Sequence, residues 1–228
     1  MKPNAVYNDM KKMILYLAGI LLVYSCANGQ AAHNTNDFAS VPKPAPGEEI
    51  ATFGGGCFWS MSEALSELKG VDKVVAGYAG GSTTNPSYDD VCTGSTGHAE
   101  VVQVYYSPKV ISFATLAEGF FFAHDPTELN RQGPDEGTDY RSIAFYRTPE
   151  EKKELEETVA KLYASKHYHG KVVTQIKPYK VFYPAEKYHQ GYYKSHISEN
   201  PYIRAVSVPK VQKFEAAMKP YLKPEYQK

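Results

Sequence analysis

Cysteine is scarce in this 228-residue chain: Cys26, Cys57 and Cys92 are all there are, which excludes a disulfide framework. No sign of charge dominates either. The 25 Lys and Arg balance the 25 Asp and Glu, and no basic stripe points to nucleic acid. Tryptophan occurs once, at Trp59. No apolar run crosses a bilayer comfortably; Met13 to Tyr24 is too short for that. Neither an internal repeat nor an internal linker interrupts the chain after residue 49. No Cys/His spacing reads as a metal site.

What is present begins at the N-terminus. Lys11 and Lys12 precede the apolar run, as the basic region of a signal peptide does, and Met10 is a second candidate start. The run ends Val23-Tyr24-Ser25-Cys26, which resembles a bacterial lipobox. Residues 1–26 are therefore expected to be a signal peptide with Cys26 as the lipidation site. The alternative is an ordinary signal peptide with an incidental cysteine. Residues 27–48 are polar and carry Pro42, Pro44 and Pro46, which reads as a flexible tether. The expected location is outside the cytoplasm, on the periplasmic side of a bacterial envelope, with membrane contact only through that lipid. Residues 49–228 are the expected catalytic domain, a normal size for one core.

The domain is organised around Ala51-Thr52-Phe53-Gly54-Gly55-Gly56-Cys57-Phe58-Trp59. A short apolar run ends in three glycines. Phe58, Met61, Ala64, Leu65 and Leu68 then recur at helical spacing. Cys57 thus starts a helix, where unpaired N–H groups and the helix dipole favour a thiolate. A buried, inert cysteine is the competing reading. The glycines favour reactivity by letting another molecule approach the backbone.

Further along, strands are expected at 49–53, 71–77, 99–106, 141–146, 171–177 and 179–183. Helices are expected at 57–68, 113–123, 149–165, 185–195 and 209–218. Ser112 and Thr148 serve as N-caps, with Pro149 and Glu151 reinforcing the second. Two long loops, 78–98 and 124–140, are rich in Gly, Asp, Asn and Pro. The fold class is α/β (α+β): a single-domain, two-layer sandwich with a mixed sheet packed by helices and long ordered loops.

Six stretches carry a resemblance when taken in order: Gly56-Cys57-Phe58-Trp59, Gly77-Tyr78-Ala79-Gly80-Gly81, Asn85-Pro86-Ser87-Tyr88, Thr96-Gly97-His98-Ala99-Glu100, His124-Asp125-Pro126 and Arg131 through Ser142. Together with Ala185-Glu186-Lys187-Tyr188-His189-Gln190 they resemble the A-type peptide methionine sulfoxide reductases. The resemblance implies thiol-dependent reduction of the S epimer of methionine sulfoxide, free or in oxidised proteins and peptides. It implies Cys57 as nucleophile, passing through a sulfenic acid. Glu100 would be the acid, kept protonated by an apolar pocket. Tyr88 and Tyr140 would hold the sulfoxide oxygen, Asp135 would order the site, and Phe58 and Trp59 would receive the methyl group. Taken singly, Glu100 reads as a surface residue of an alternating strand, Asp135 as a turn former, and the tyrosines as packing residues. His98, His124 and His189 read as bracing residues.

The sequence departs from the family at its C-terminus. Many members carry resolving cysteines there, whereas this chain reads Asn200-Pro201-Tyr202-Ile203-Arg204-Ala205-Val206-Ser207. Cys92 is expected to be buried and structural. No bound cofactor is implied, and an external thiol reductant (thioredoxin-like, glutaredoxin-like or a small thiol) would recycle Cys57. The competing functions are a cysteine hydrolase pairing Cys57 with a histidine, and a lipoprotein that binds a ligand without turnover.

Overall fold

The computed structural model describes residues 37–227. The expected signal peptide, the Cys26 lipidation site and the first part of the expected tether lie outside these residues. Its centre is a six-stranded sheet in the order β7-β6-β1-β3-β2-β8. The strands are β1 (Glu49–Gly54), β2 (Val71–Ala79), β3 (Ala99–Tyr106), β6 (Ile143–Tyr146), β7 (Gln175–Pro178) and β8 (Phe182–Pro184). All pairings are antiparallel except β6 with β7, so the sheet is mixed. A separate two-stranded hairpin joins β4 (Arg131–Gln132) to β5 (Asp135–Glu136).

Side-chain alternation along β3 divides the molecule into two layers. Val102, Val104 and Tyr106 face the main core, built with α1 (Phe58–Ser66), α3 (Phe113–Phe122), α4 (Pro149–Ser165) and α6 (Val208–Met218). Ala99, Val101 and Tyr105 face a smaller cluster with Ile143, Phe145 and Phe182. Every β3 residue is buried, as a central strand covered on both faces must be. The caps at Ser112 and Thr148 form, accepting from the Thr115 and Glu151 N–H groups.

Several boundaries move for local reasons. The expected loop at 78–98 contains α2 (Tyr88–Cys92), nucleated by a capping box between Ser87 and Asp90. Residues 171–174 are not in the sheet: the Val172 and Val173 N–H groups donate to the Tyr163 hydroxyl and the Pro126 carbonyl. The expected helix at 185–195 is broken by Gly191 at φ +65°, which leaves a 3₁₀ turn Lys187–His189 and α5 (Tyr192–His196). A π-turn, Ile203–Ser207, leads into α6. The start of the described chain is not a free tether. Ala39 N–H donates to the Ala185 carbonyl, Lys187 N–H to the Asp37 carbonyl, and the Tyr105 hydroxyl to the Pro42 carbonyl.

Candidate active site

The three glycines make a turn that only glycines fit, because the protein itself occupies the space. A Cβ at Gly54 would lie 2.6 Å from the Glu100 carbonyl oxygen, and one at Gly55 2.7 Å from the His124 ring. Gly56 adopts φ +83° with Gln132 against it, and its N–H donates to the Tyr140 carbonyl. The expected close approach is therefore made by the chain's own side chains rather than by a ligand. His124 is buried and braced at both ring nitrogens, by the Phe120 carbonyl and the Ser142 hydroxyl. Burial pulls its pKa down to about 4, so it is neutral.

This turn sets Cys57 at the N-cap of α1, 6% exposed. The next N–H, that of Phe58, donates to Glu100 Oε2 at 2.9 Å. Glu100 reaches that amide from β3, on the same face as Val102 and Val104. It is 2% exposed, so the surface reading of this glutamate is overturned. Burial drives its pKa up to about 8, against the pull of the Phe58 amide, with the charges of Asp139 and Asp135 adding to the rise.

The thiol expectation is reversed. Burial, then the Glu100 carboxylate, push Cys57 well above its ordinary value, and the helix N-terminus does not compensate. The dipole effect falls within a few tenths to about 2 kcal/mol, less than desolvation of a fully buried ion.

Tyr88 opens α2, and Tyr140 closes a 3₁₀ turn at Thr138–Tyr140. That turn is pinned by Arg141, whose guanidinium donates to the Thr138 and Gly97 carbonyls. Burial and the Glu100 charge push both phenols far up, so their hydroxyls stay protonated and able to donate. Asp135, on β5, accepts from the Tyr202 hydroxyl at 2.6 Å, with Lys210 Nζ 3.7 Å away. The structure thus gathers Cys57, Glu100, Tyr88, Tyr140 and Asp135 around one point. Trp59 is the open wall: its ring stacks on Tyr192 at 3.9 Å, and its indole N–H donates to His189 Nδ1. Phe58 is 1% exposed and lies beneath the site, packed on Tyr78 and His189.

Cys92 is exposed rather than buried, because it ends α2 on the outward side. Its thiol hydrogen-bonds the Tyr88 hydroxyl one helical turn away. Two contributors, Glu186 and Tyr202, escaped sequence reading, while His189 braces as expected. Glu186 is a buried acceptor for the Tyr78 hydroxyl and the Tyr88 N–H, and so carries α2. His189 orients Trp59. Tyr202 hydrogen-bonds the Cys57 sulfur as well as Asp135. The Tyr202 segment carries no local signal beyond its lack of cysteine, and Glu186 sits inside a motif without a separate role. Among the described residues, no three His, Cys, Asp or Glu side chains are grouped to hold a metal ion.

Comparison with known proteins gives the same direction. A family model described as peptide methionine sulfoxide reductase matches residues 49–221. A peptide methionine sulfoxide reductase MsrA of Polynucleobacter asymbioticus is 48% identical over 184 residues, 81% of this chain and 96% of that protein. One from Saccharolobus solfataricus is 51% identical over 166 residues, covering 73% and 92%. Among solved structures, reduced Mxr1 of Saccharomyces cerevisiae matches with a TM-score of 0.65 at 36% identity, covering 69% of this chain and 91% of that one. Methionine sulfoxide reductase A of Corynebacterium diphtheriae matches with a TM-score of 0.61 at 31% identity, covering 74% and 92%.

Proposed function

The chain belongs to the peptide methionine sulfoxide reductase family and reduces methionine sulfoxide, and we propose that it does so on the S epimer with Cys57 as nucleophile and Glu100 as acid. The observation that carries this reading is the buried Glu100 carboxyl at the foot of the helix that Cys57 caps. Glu100 Oε2 is occupied as an acceptor by the Phe58 amide, which leaves Oε1 to carry the proton. With its pKa near 8, Glu100 is mostly protonated at neutral pH and can donate to the sulfoxide oxygen. The Tyr88 and Tyr140 hydroxyls hold the same oxygen, and Trp59 receives the methyl group.

Protonating the oxygen makes the sulfoxide sulfur electrophilic. The Cys57 sulfur attacks it, the sulfur–oxygen bond of the substrate breaks, and oxygen ends on Cys57 as a sulfenic acid. Methionine leaves. One external thiol then converts the sulfenic acid to a mixed disulfide with loss of water, and a second restores Cys57 while forming the reductant disulfide. The absence of cysteine from the segment 200–210, where many family members carry resolving cysteines, supports an external reductant. Thioredoxin-like, glutaredoxin-like and small thiols all meet that need. Oxidised proteins are the natural substrates of such a site, with its open aromatic wall. We further propose export and a lipid anchor at Cys26, on the run Met13 to Tyr24 and the cysteine that follows it.

Separated S- and R-methionine sulfoxide peptides, assayed with dithiothreitol, test the reading. Reduction of S alone is expected. Reduction of R, or of neither, overturns it. Activity that survives in all histidine variants excludes the cysteine-hydrolase alternative.

A further inference from the structure

Cys57 enters the reaction holding its proton, since burial keeps the thiol neutral, and a thiol is a poor nucleophile. Something must take that proton as the sulfur attacks. Glu100 cannot, because it starts protonated and gives its own proton to the sulfoxide. His189 Nδ1 is committed to the Trp59 indole. His124 spans Phe120 and Ser142 at its two nitrogens. Tyr88 and Tyr140 are assigned to the sulfoxide oxygen.

One hydroxyl remains. Tyr202 follows Pro201 at the mouth of the π-turn, its ring set edge-on to Trp59 at 6.0 Å. Its hydroxyl contacts the Cys57 sulfur on one side. On the other it donates to Asp135 Oδ2 at 2.6 Å. Behind Asp135 stands Lys210 Nζ at 3.7 Å, itself donating to the Gln132 carbonyl. The groups facing Cys57 are thus Glu100, Asp135, Tyr140 and Tyr202, and of these Tyr202 joins the sulfur to a second acceptor, the Asp135 carboxyl.

We propose that Tyr202 is a further catalytic residue: its hydroxyl, set between the Cys57 sulfur and Asp135, passes the thiol proton to that carboxylate as Cys57 attacks. The inference rests on Cys57 being the nucleophile. The Cys57 S–H bond breaks and its proton joins the Tyr202 oxygen. The proton that Tyr202 already carried moves to Asp135 Oδ2, so Tyr202 is unchanged. Glu100 gives its proton to the sulfoxide oxygen. Thiol and sulfoxide become sulfenic acid and thioether, with one proton moved from Glu100 to Asp135.

Tyr202→Phe keeps the ring and removes only the relay oxygen. Single-turnover formation of methionine should fall about tenfold or more, and the pH profile of Cys57 alkylation by iodoacetamide should move upward. Asp135→Asn separates a relay from simple electrostatics. The Asp135 charge raises the thiol pKa, so its removal eases alkylation, and an electrostatic role predicts reduction no slower than in the unaltered enzyme. A relay predicts slower reduction despite easier alkylation, and a double variant no slower than either single one. Unchanged single-turnover rates in Tyr202→Phe, or losses that multiply in the double variant, would overturn the proposal. Full activity in Cys57→Ser would instead remove the nucleophile reading on which it rests.

Discussion

The Phe58 backbone N–H donates to Glu100 Oε2 at 2.9 Å, which ties the proposed acid to the residue after the proposed nucleophile. Two distant parts of the chain meet there, the start of α1 and the start of β3. The bond fixes the carboxyl with one oxygen accepting and the other free to donate. The three glycines matter because they let β1 end close enough to β3 for this contact, with Gly54 against the Glu100 carbonyl.

Glu100→Gln should lower activity by about a hundredfold or more. The variant also has a signature in stability. The folded pKa, about 8, lies above the ordinary 4.5 of a glutamate. The contribution of Glu100 to stability is therefore full below about pH 4.5 and lost as pH rises through about 8. Glutamine does not ionise. Thermal melts from about pH 5 to about pH 9 should show a smaller decline in the variant than in the parent. In the parent, activity should fall as pH rises through about 8, as the donor proton is lost.

Gly55→Ala would set a methyl 2.7 Å from the His124 ring. That ring is buried and held at both nitrogens, so moving it breaks hydrogen bonds. Urea unfolding should show a loss of about 1–3 kcal/mol, the usual range for overpacking. A stability equal to that of the parent would mean that the turn yields to the added methyl.

Glu67 follows α1 at its far end from Cys57, is 2% exposed, and has Glu63 and Glu215 nearby. Burial, then those two charges, push its pKa up to about 8. Its folded pKa is raised, so its contribution is lost as pH rises through about 8. Glu67→Gln should raise the melting temperature above that pH and change it little near about pH 5. Turnover should be unaffected. An equal shift at both pH values would contradict the ionisation argument.

Glu186→Ala should leave the Tyr78 hydroxyl and the Tyr88 N–H buried without an acceptor. The expected loss is about 2 kcal/mol or more, since each orphaned donor costs about 1–3 kcal/mol. Activity should fall with it, because α2 carries Tyr88 into the site. Melts together with kcat and KM for a sulfoxide peptide measure both effects.

Local patterns carried much of this. The apolar spacing of Phe58, Met61, Ala64 and Leu65 fixed α1, and the Ser112 and Thr148 caps placed α3 and α4, because these signals act within a few residues. The ordered motifs named Cys57, Glu100, Tyr88, Tyr140 and Asp135, and the fold brings those five together. What failed depended on burial and on partners far along the chain. The helix start predicts an eased thiol at Cys57, but burial, with the Glu100 charge adding to it, outweighs the dipole. Free cysteines usually lie inside, yet the place of Cys92 at the end of α2 turns it outward. Tyr202 and Glu186 act through contacts 67 and 98 residues distant, to Asp135 and Tyr88, and no local pattern encodes such pairs.

In the proposed mechanism, Gly-Gly-Gly-Cys-Phe-Trp presents one sulfur that takes the substrate oxygen. The direct measurement is intact and peptide mass spectrometry after one turnover with a methionine sulfoxide peptide and no reductant. One added oxygen on Cys57, trappable by dimedone and matched by one methionine formed, is the expected result. Methionine formed with Cys57 unmodified, or a Cys57–Cys92 disulfide in place of the sulfenic acid, would contradict it.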